Sequence, residues 1–254
     1  MTNGTRLTPR ITERLLDAGI DHALVTLDGP KEIHDERRCF IANDGTFDKI
    51  VKNIIYSAGK IKISLNINVD KHNCKSAHLL ANILAKKKLH KLLSNVTVSL
   101  VEPSLVPLEH CMKYDLPQQE YCKYNILIYK EFFKLGFKLG ALLDRGFCTL
   151  SRDNQYIIDP RGDIYVCVTG VGDRNFTIGN IAEDFNILAI RLSQYLESNP
   201  SDSINECIDC VYRPICRGGC RHESYVRFGD KNKGICMKDY YMNWIPNGTC
   251  LAPT

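Results

Sequence analysis

Five of the twelve cysteines in this chain of 254 residues fall between Cys207 and Cys236. Cys207, Cys210, Cys216 and Cys220 follow a C-x2-C-x5-C-x3-C spacing, with Gly218 and Gly219 before the last of them and Cys236 after a gap. Thiolates so spaced are candidate metal ligands. An iron–sulfur cluster held by protein alone takes four of them, and nearby glycines let backbone come close to whatever the sulfurs hold. An isolated C-x2-C equally marks a zinc knuckle or a redox dithiol.

The total count separates these readings. Cys148 and Cys167 flank Gly162 in a C-x13-G-x4-C spacing, which makes seven ordered cysteines in the back half of the chain. Two all-cysteine zinc sites need eight, whereas seven suit one closed four-cysteine cluster and a second with three cysteines and one position left over. Cys39, Cys74, Cys111 and Cys122 form no tight group, and with Cys250 they read as ordinary thiols.

The series resembles the SPASM domain, the auxiliary-cluster module that ends many radical S-adenosylmethionine (SAM) enzymes acting on peptides and proteins. The resemblance covers about residues 144–254, and all seven family cysteines have counterparts. It implies two auxiliary [4Fe–4S] clusters, an outer one on Cys207, Cys210, Cys216 and Cys236 and an inner one on Cys148, Cys167 and Cys220. In the sulfatase-maturing branch a further cysteine follows the first by six positions. Here Asn154 stands there, so Asp153, a water or a substrate would complete the inner cluster. That branch also has an aspartate directly after the hairpin cysteine; here it is Val168, and formylglycine formation is not carried over.

The elements that position these ligands begin with a hairpin. Gln155 to Val166 alternates on both sides of a Pro160-Arg161-Gly162-Asp163 turn, bringing Cys148 and Cys167 toward its open end, and a helix over 184–196 leads on to Cys207. The front half alternates strands and helices. Helices are expected over 11–18 with Thr8 as cap, 46–58 and 76–93, and strands over 22–27, 62–69 and 96–101. This rhythm gives parallel β/α units whose active edge lies at the strand ends, at Asp28, Asn68 to Asp70 and Glu102. From Pro117 to Leu143, Tyr121, Tyr124, Ile128, Phe132, Leu135, Leu139 and Leu142 recur at helical spacing, which predicts a long buried helix joining two domains.

Val25-Thr26-Leu27-Asp28-Gly29-Pro30, His34-Asp35, Arg38 and Gly45-Thr46-Phe47 resemble the fourth strand and following loop of the radical SAM barrel, and Thr2-Asn3-Gly4 resembles the end of its third strand. The resemblance implies that the Thr26 hydroxyl meets SAM and that Arg38 meets its carboxylate. The plain alternatives are a β-branched strand residue for Thr26 and an ion pair with Asp35 or Glu36 for Arg38. His34-Asp35 reads as a helix-capping turn rather than an acid–base pair. The C-x3-C-x2-C that would bind the radical-generating cluster has no counterpart. The chain therefore reads as the C-terminal part of a longer enzyme or as a degenerate binding member, with a partner chain supplying the missing N-terminal strands.

The expectation is an α/β protein: an incomplete radical SAM partial (β/α)6 barrel from about the third strand over 1–110, a connecting helical segment over 111–143 and a small cysteine-rich SPASM domain over 144–254. The resemblance implies a radical SAM/SPASM oxidoreductase or maturase that modifies a peptide or protein substrate, although by itself this chain could not initiate the radical. The alternative is a zinc- or cluster-bearing scaffold that captures a peptide without catalysis. A net charge of +4, from 33 basic and 29 acidic side chains, gives no reason to expect a nucleic-acid partner. No window approaches the ~20 apolar residues of a membrane span and no signal pattern opens the chain, so a cytoplasmic location is expected, where cysteines serve metals rather than disulfides.

Overall fold

The computed structural model describes residues 1–101, 116–140, 156–197 and 199–248. They divide into two compact units, one of 1–101, 116–140 and 243–248, the other of 156–197 and 199–242. Among the described residues no helix is long and apolar enough to cross a membrane.

The first unit is built on a parallel sheet of β1 (His22–Thr26), β2 (Lys62–Val69) and β3 (Asn95–Leu100), in that order. The sheet extends on both sides. Thr2 donates its N–H to the Leu24 carbonyl at 2.9 Å and bridges Val25 in parallel, while Leu139 bridges Val96, whose N–H and C=O bond Lys138 and Gly140. Helices α1 (Pro9–Asp17) and α3 (Phe47–Ser57) pack together, and α3 also lies on β2. The faces follow from 3.6-residue periodicity: Phe47, Ile50, Val51 and Ile54 are buried, whereas Ile55, expected among them, is 45% exposed.

Three elements differ from expectation. Lys31–Arg37 forms a short helix, α2, where a loop was expected; Pro30 precedes it and Lys31 pairs with Asp35 one turn on at 2.8 Å. The helix expected over 76–93 breaks into a 3₁₀ turn at Ala77–Leu79, α4 (Leu80–Lys86) and a second 3₁₀ turn at Leu89–Lys91. The break lies at Lys88, which is left-handed at φ 60°, and beyond it Leu89 and Leu93 are buried. Core anchoring outweighs helix propensity along the lysine run. The long helix also stops early: α5 (Gln118–Lys134) is closed by Gly136 at φ 79° before the chain turns into the sheet edge at Leu139. α5 packs within the first unit on β3 and α4, with the Tyr121 hydroxyl donating to the Val98 carbonyl and the Tyr129 hydroxyl accepting the Val98 N–H.

The second unit opens with the expected hairpin, β4 (Ile157–Ile158) and β5 (Asp163–Tyr165), around a turn with Gly162 at φ 86°. A third antiparallel strand, β6 (Thr177–Asn180), pairs with β5. Then come α6 (Phe185–Glu197), α7 (Arg213–Cys216) and α8 (Arg221–Phe228), while α9 (Lys238–Gly248) begins in this unit. Among the described residues its core gathers Ile164, Tyr165, Val166, Cys167, Phe176, Ile178, Leu192 and Tyr195.

Candidate cofactor face and cysteine cradle

Register places Thr26 beside Asn66 and Asn66 beside Thr97; two residues further along, Asn68 lies beside Ser99. Because side chains alternate along a strand, these residues share one face of the sheet with Ser64, while buried Val25, Ile63, Leu65, Ile67, Val96 and Val98 share the other. A parallel sheet covered by helices on both faces is apolar on both. A sheet apolar under its helices and polar opposite has a ligand- or water-facing side. The polar groups are already ordered. The Asn66 Oδ1 accepts from the Thr97 and Ser99 hydroxyls at 3.1 and 2.9 Å, and the Asn66 amide nitrogen donates to Asn68 Oδ1 at 2.7 Å. Thr26 is 5% exposed within this face.

At the C-terminal edge of the strands Asp28, 1% exposed, is a hub. Its Oδ2 accepts from Arg38 Nε at 2.6 Å and Arg37 Nε at 3.4 Å, and its Oδ1 accepts the Asn68 N–H at 3.2 Å. Arg37 also reaches buried Asp70 at 2.7 Å, and the Asn73 amide ties together the carbonyls of Asp28 and Asn68. Arg38 thus pairs with Asp28, not with Asp35 or Glu36. Asp35 instead takes Lys31 and the Phe47 N–H, which with the Lys31 cation hold its carboxyl below the usual range against an opposing burial cost. Among the described residues only the Nε of Arg38 is committed, and its side chain is 35% exposed.

His34 does not form a capping turn. It is fully buried within α2, its Nδ1 accepts the Asp28 N–H at 3.1 Å, and its Nε2 therefore carries the hydrogen shared with Thr46 Oγ1 at 3.1 Å. Thr46 passes the chain on to the Arg38 carbonyl. Burial, above all, pushes the imidazole down to about 4, so it is neutral at physiological pH and works as a brace for the Asp28–Arg38 loop.

In the second unit Cys207 closes a 3₁₀ turn and is buried, Cys216 ends α7, Cys220 precedes α8 and Cys236 is exposed. Burial raises the Cys207 thiol, and after it the largest influences, all raising, are Cys216, Cys236 and Cys210, in that order; Arg213 opposes them. These four are the set expected for the outer cluster. Among the described residues no three His, Cys, Asp or Glu side chains group as a site for a single metal ion.

Of the inner set, Cys167 is buried with its Sγ 2.9 Å from Thr169 Oγ1, while Cys148, with Asp153 and Asn154, lies outside the described residues, as does Glu102. Cys74 and Cys122 are buried thiols raised by that burial, as ordinary core cysteines are. Arg217, Gly218 and Gly219 are successively left-handed, which turns the chain sharply between Cys216 and Cys220. The glycines are needed for the protein's own backbone: a Cβ on Gly218 would lie 2.3 Å from the Ser201 nitrogen, and one on Gly219 2.7 Å from the Ile235 carbonyl oxygen. The Ile235 N–H bonds the Gly218 carbonyl at 2.7 Å and carries Cys236 to the loop.

Sequence reasoning did not single out Asn66, Thr97 and Ser99. The period-two alternation of β2 was the available signal, but only register shows that the polar positions of neighbouring strands coincide.

No family model matches the chain. It is 24% identical over 260 residues to the cysteine-type anaerobic sulfatase-maturating enzyme of Clostridium novyi (strain NT), covering 91% of this chain and 66% of that protein. It is 27% identical over 235 residues to the mycofactocin maturase MftC of Mycobacterium tuberculosis, covering 86% and 57%. In structure it matches anSMEcpe with bound AdoMet and Kp18Cys peptide at a TM-score of 0.72 and 18% identity, over 98% of this chain and 72% of that one. It also matches Streptococcus suis SuiB bound to precursor peptide SuiA at a TM-score of 0.64 and 15% identity, over 92% and 56%. The fold is a mixed α/β one of the radical SAM/SPASM kind, its three-stranded parallel sheet consistent with a partial barrel. The chain is a homologue of the radical SAM maturases, and a SPASM-type classification fits it. It spans 66% and 57% of the length of these two curated relatives.

Proposed function

We propose that this chain works in a radical SAM/SPASM enzyme that modifies a peptide or protein, holding two auxiliary [4Fe–4S] clusters in its second unit and SAM against the polar face of its first. The observation that carries the reading is the Ile235 N–H bond to the Gly218 carbonyl at 2.7 Å, which brings Cys236 to the Cys216–Cys220 turn from well outside the C-x2-C-x5-C-x3-C run. Cys207, Cys210, Cys216 and Cys236 would hold the outer cluster, and Cys148, Cys167 and Cys220 the inner one.

Bound SAM would supply the radical chemistry and the clusters electron uptake or substrate ligation. The protein's own part is positioning. Thr26, in register with Asn66 and Thr97, offers hydroxyl and amide groups to a polar cofactor. Arg38, its Nε fixed on Asp28, would turn its terminal guanidinium nitrogens to the SAM carboxylate. Peptide in the structures of anSMEcpe and SuiB supports a peptide substrate.

Cysteine variants test the assignment. After anaerobic reconstitution, Cys207→Ala with Cys210→Ala is expected to lose about four irons and leave the rest, and Cys167→Ala with Cys220→Ala to lose the other four or so. Iron that disappears altogether in either variant, or persists in both, contradicts two separate sites.

A further inference from the structure

His222 is fully buried, yet among the described residues neither of its ring nitrogens has a hydrogen-bond partner. Burying a polar group without a partner is costly, and an imidazole brings two, a donor nitrogen and an acceptor nitrogen whose lone pair can equally bind a metal. The first unit shows how a core histidine is ordinarily accommodated. Both nitrogens of fully buried His34 are paired, one with the Asp28 N–H and the other with the Thr46 hydroxyl. The place beside Phe176 could be filled by an apolar ring, so packing alone does not account for the imidazole of His222.

Its surroundings are those of the inner cysteine set. Cys220 directly precedes α8 and His222 lies in the first turn of that helix, which the Ser224 N–H closes by bonding the Cys220 carbonyl at 2.9 Å. The Phe176 ring lies against the imidazole, with the centroids 5.4 Å apart. The same ring packs on the turn that follows Cys167. There the Gly170 N–H bonds the Cys167 carbonyl at 3.2 Å, and a Cβ on Gly170 would come within 2.4 Å of Phe176. Cys167 itself is 5% exposed, in the core around Phe176. Phe176 therefore touches both the Cys167 turn and the histidine two residues beyond Cys220.

We propose that a ring nitrogen of His222 is the fourth protein ligand of the inner cluster, on the iron that three cysteines leave open, in place of Asp153, a water or a substrate. The proposal rests on the two-cluster reading above. A neutral imidazole gives its lone pair without losing a proton, so the cluster carries one negative charge fewer than it would on four thiolates. Histidine in place of cysteine raises the reduction potential, as in Rieske centres. A cluster closed by His222 has no iron free for substrate, which assigns it electron uptake rather than substrate ligation.

The test is pulsed electron paramagnetic resonance of the full chain, carrying histidine labelled with heavy nitrogen, reconstituted anaerobically and reduced with dithionite. A histidine nitrogen strongly coupled to a reduced cluster is expected. The coupling should persist in Cys207→Ala with Cys210→Ala, which removes the outer cluster, and vanish in His222→Cys. His222→Cys should keep about eight irons, because a thiolate replaces the imidazole, and shift the inner midpoint potential downward; His222→Phe, which keeps a packed ring, should hold about seven. Because the coupling is read with His222 in place, a variant that fails to fold does not remove the test. Full iron with no histidine coupling would overturn this ligand and leave the two clusters standing. A coupling that survives in His222→Cys, or that disappears with the outer cluster, would also overturn it. A native chain that takes up no iron sinks the cluster reading and this ligand with it.

Discussion

A carboxylate that is 1% exposed, as Asp28 is, survives only because two guanidinium groups and a main-chain N–H meet it. Asp28→Asn keeps the shape and removes the charge. It should cost about 2–3 kcal/mol, less than a fully buried pair because both arginines keep some contact with water; urea unfolding followed by circular dichroism measures it. His34 makes a pH prediction. Its folded value of about 4 lies below the ordinary 6.5, so between those values the unfolded chain binds more protons and stability rises with pH. The contribution is fully present above about pH 6.5 and is lost as pH falls toward 4, by roughly 2 kcal/mol between pH 7 and 5. Urea midpoints at the two pH values should differ more for the native protein than for His34→Gln; an identical pH slope would refute the buried neutral imidazole. Asp28 was legible as a strand-end residue from the β/α rhythm, and Thr26 and Arg38 only by resemblance. The Arg38–Asp28 pair was not legible, because it depends on the helix α2 forming between them where a loop was expected.

At the scale of elements, the strands were readable because β2 alternates cleanly between Ile63, Leu65, Ile67 and Val69 and the polar Ser64, Asn66 and Asn68. The helices were readable where apolar periodicity and a stop agreed, as in α3. They were misread where tertiary packing overrode local pattern. Nothing in a run of lysines announces that Lys88 is left-handed, since the cause is the burial of Leu89 and Leu93 beyond it. The Cys216–Cys220 turn makes the sharper prediction. A methyl on Gly218 would meet backbone at Ser201 and Pro200, which cannot swing aside as a side chain would. Gly218→Ala is therefore expected to displace Cys236 through the Ile235–Gly218 bond and to lower iron uptake by about half, one cluster of two. Iron analysis of the reconstituted variant checks this, and an unchanged iron content would show that the turn tolerates the methyl group.

Across the whole molecule, the two units have different sources of stability. The first has a parallel sheet with α3 on β2 and α5 on β3, α1 and α4 packed against those helices, and a buried polar hub. The second has, among the described residues, a core around Phe176 and exposed apolar side chains such as Phe185, Ile190 and Val211. Ligand binding to the folded state alone adds stability by mass action, so reconstitution should raise the melting temperature of the second unit by roughly 10 °C or more, and chelation should reverse it. The most direct measurement is metal and sulfide analysis of the anaerobically reconstituted chain. About eight irons and eight sulfides per chain are predicted, as two [4Fe–4S] clusters require; stoichiometric zinc with no acid-labile sulfide would contradict it.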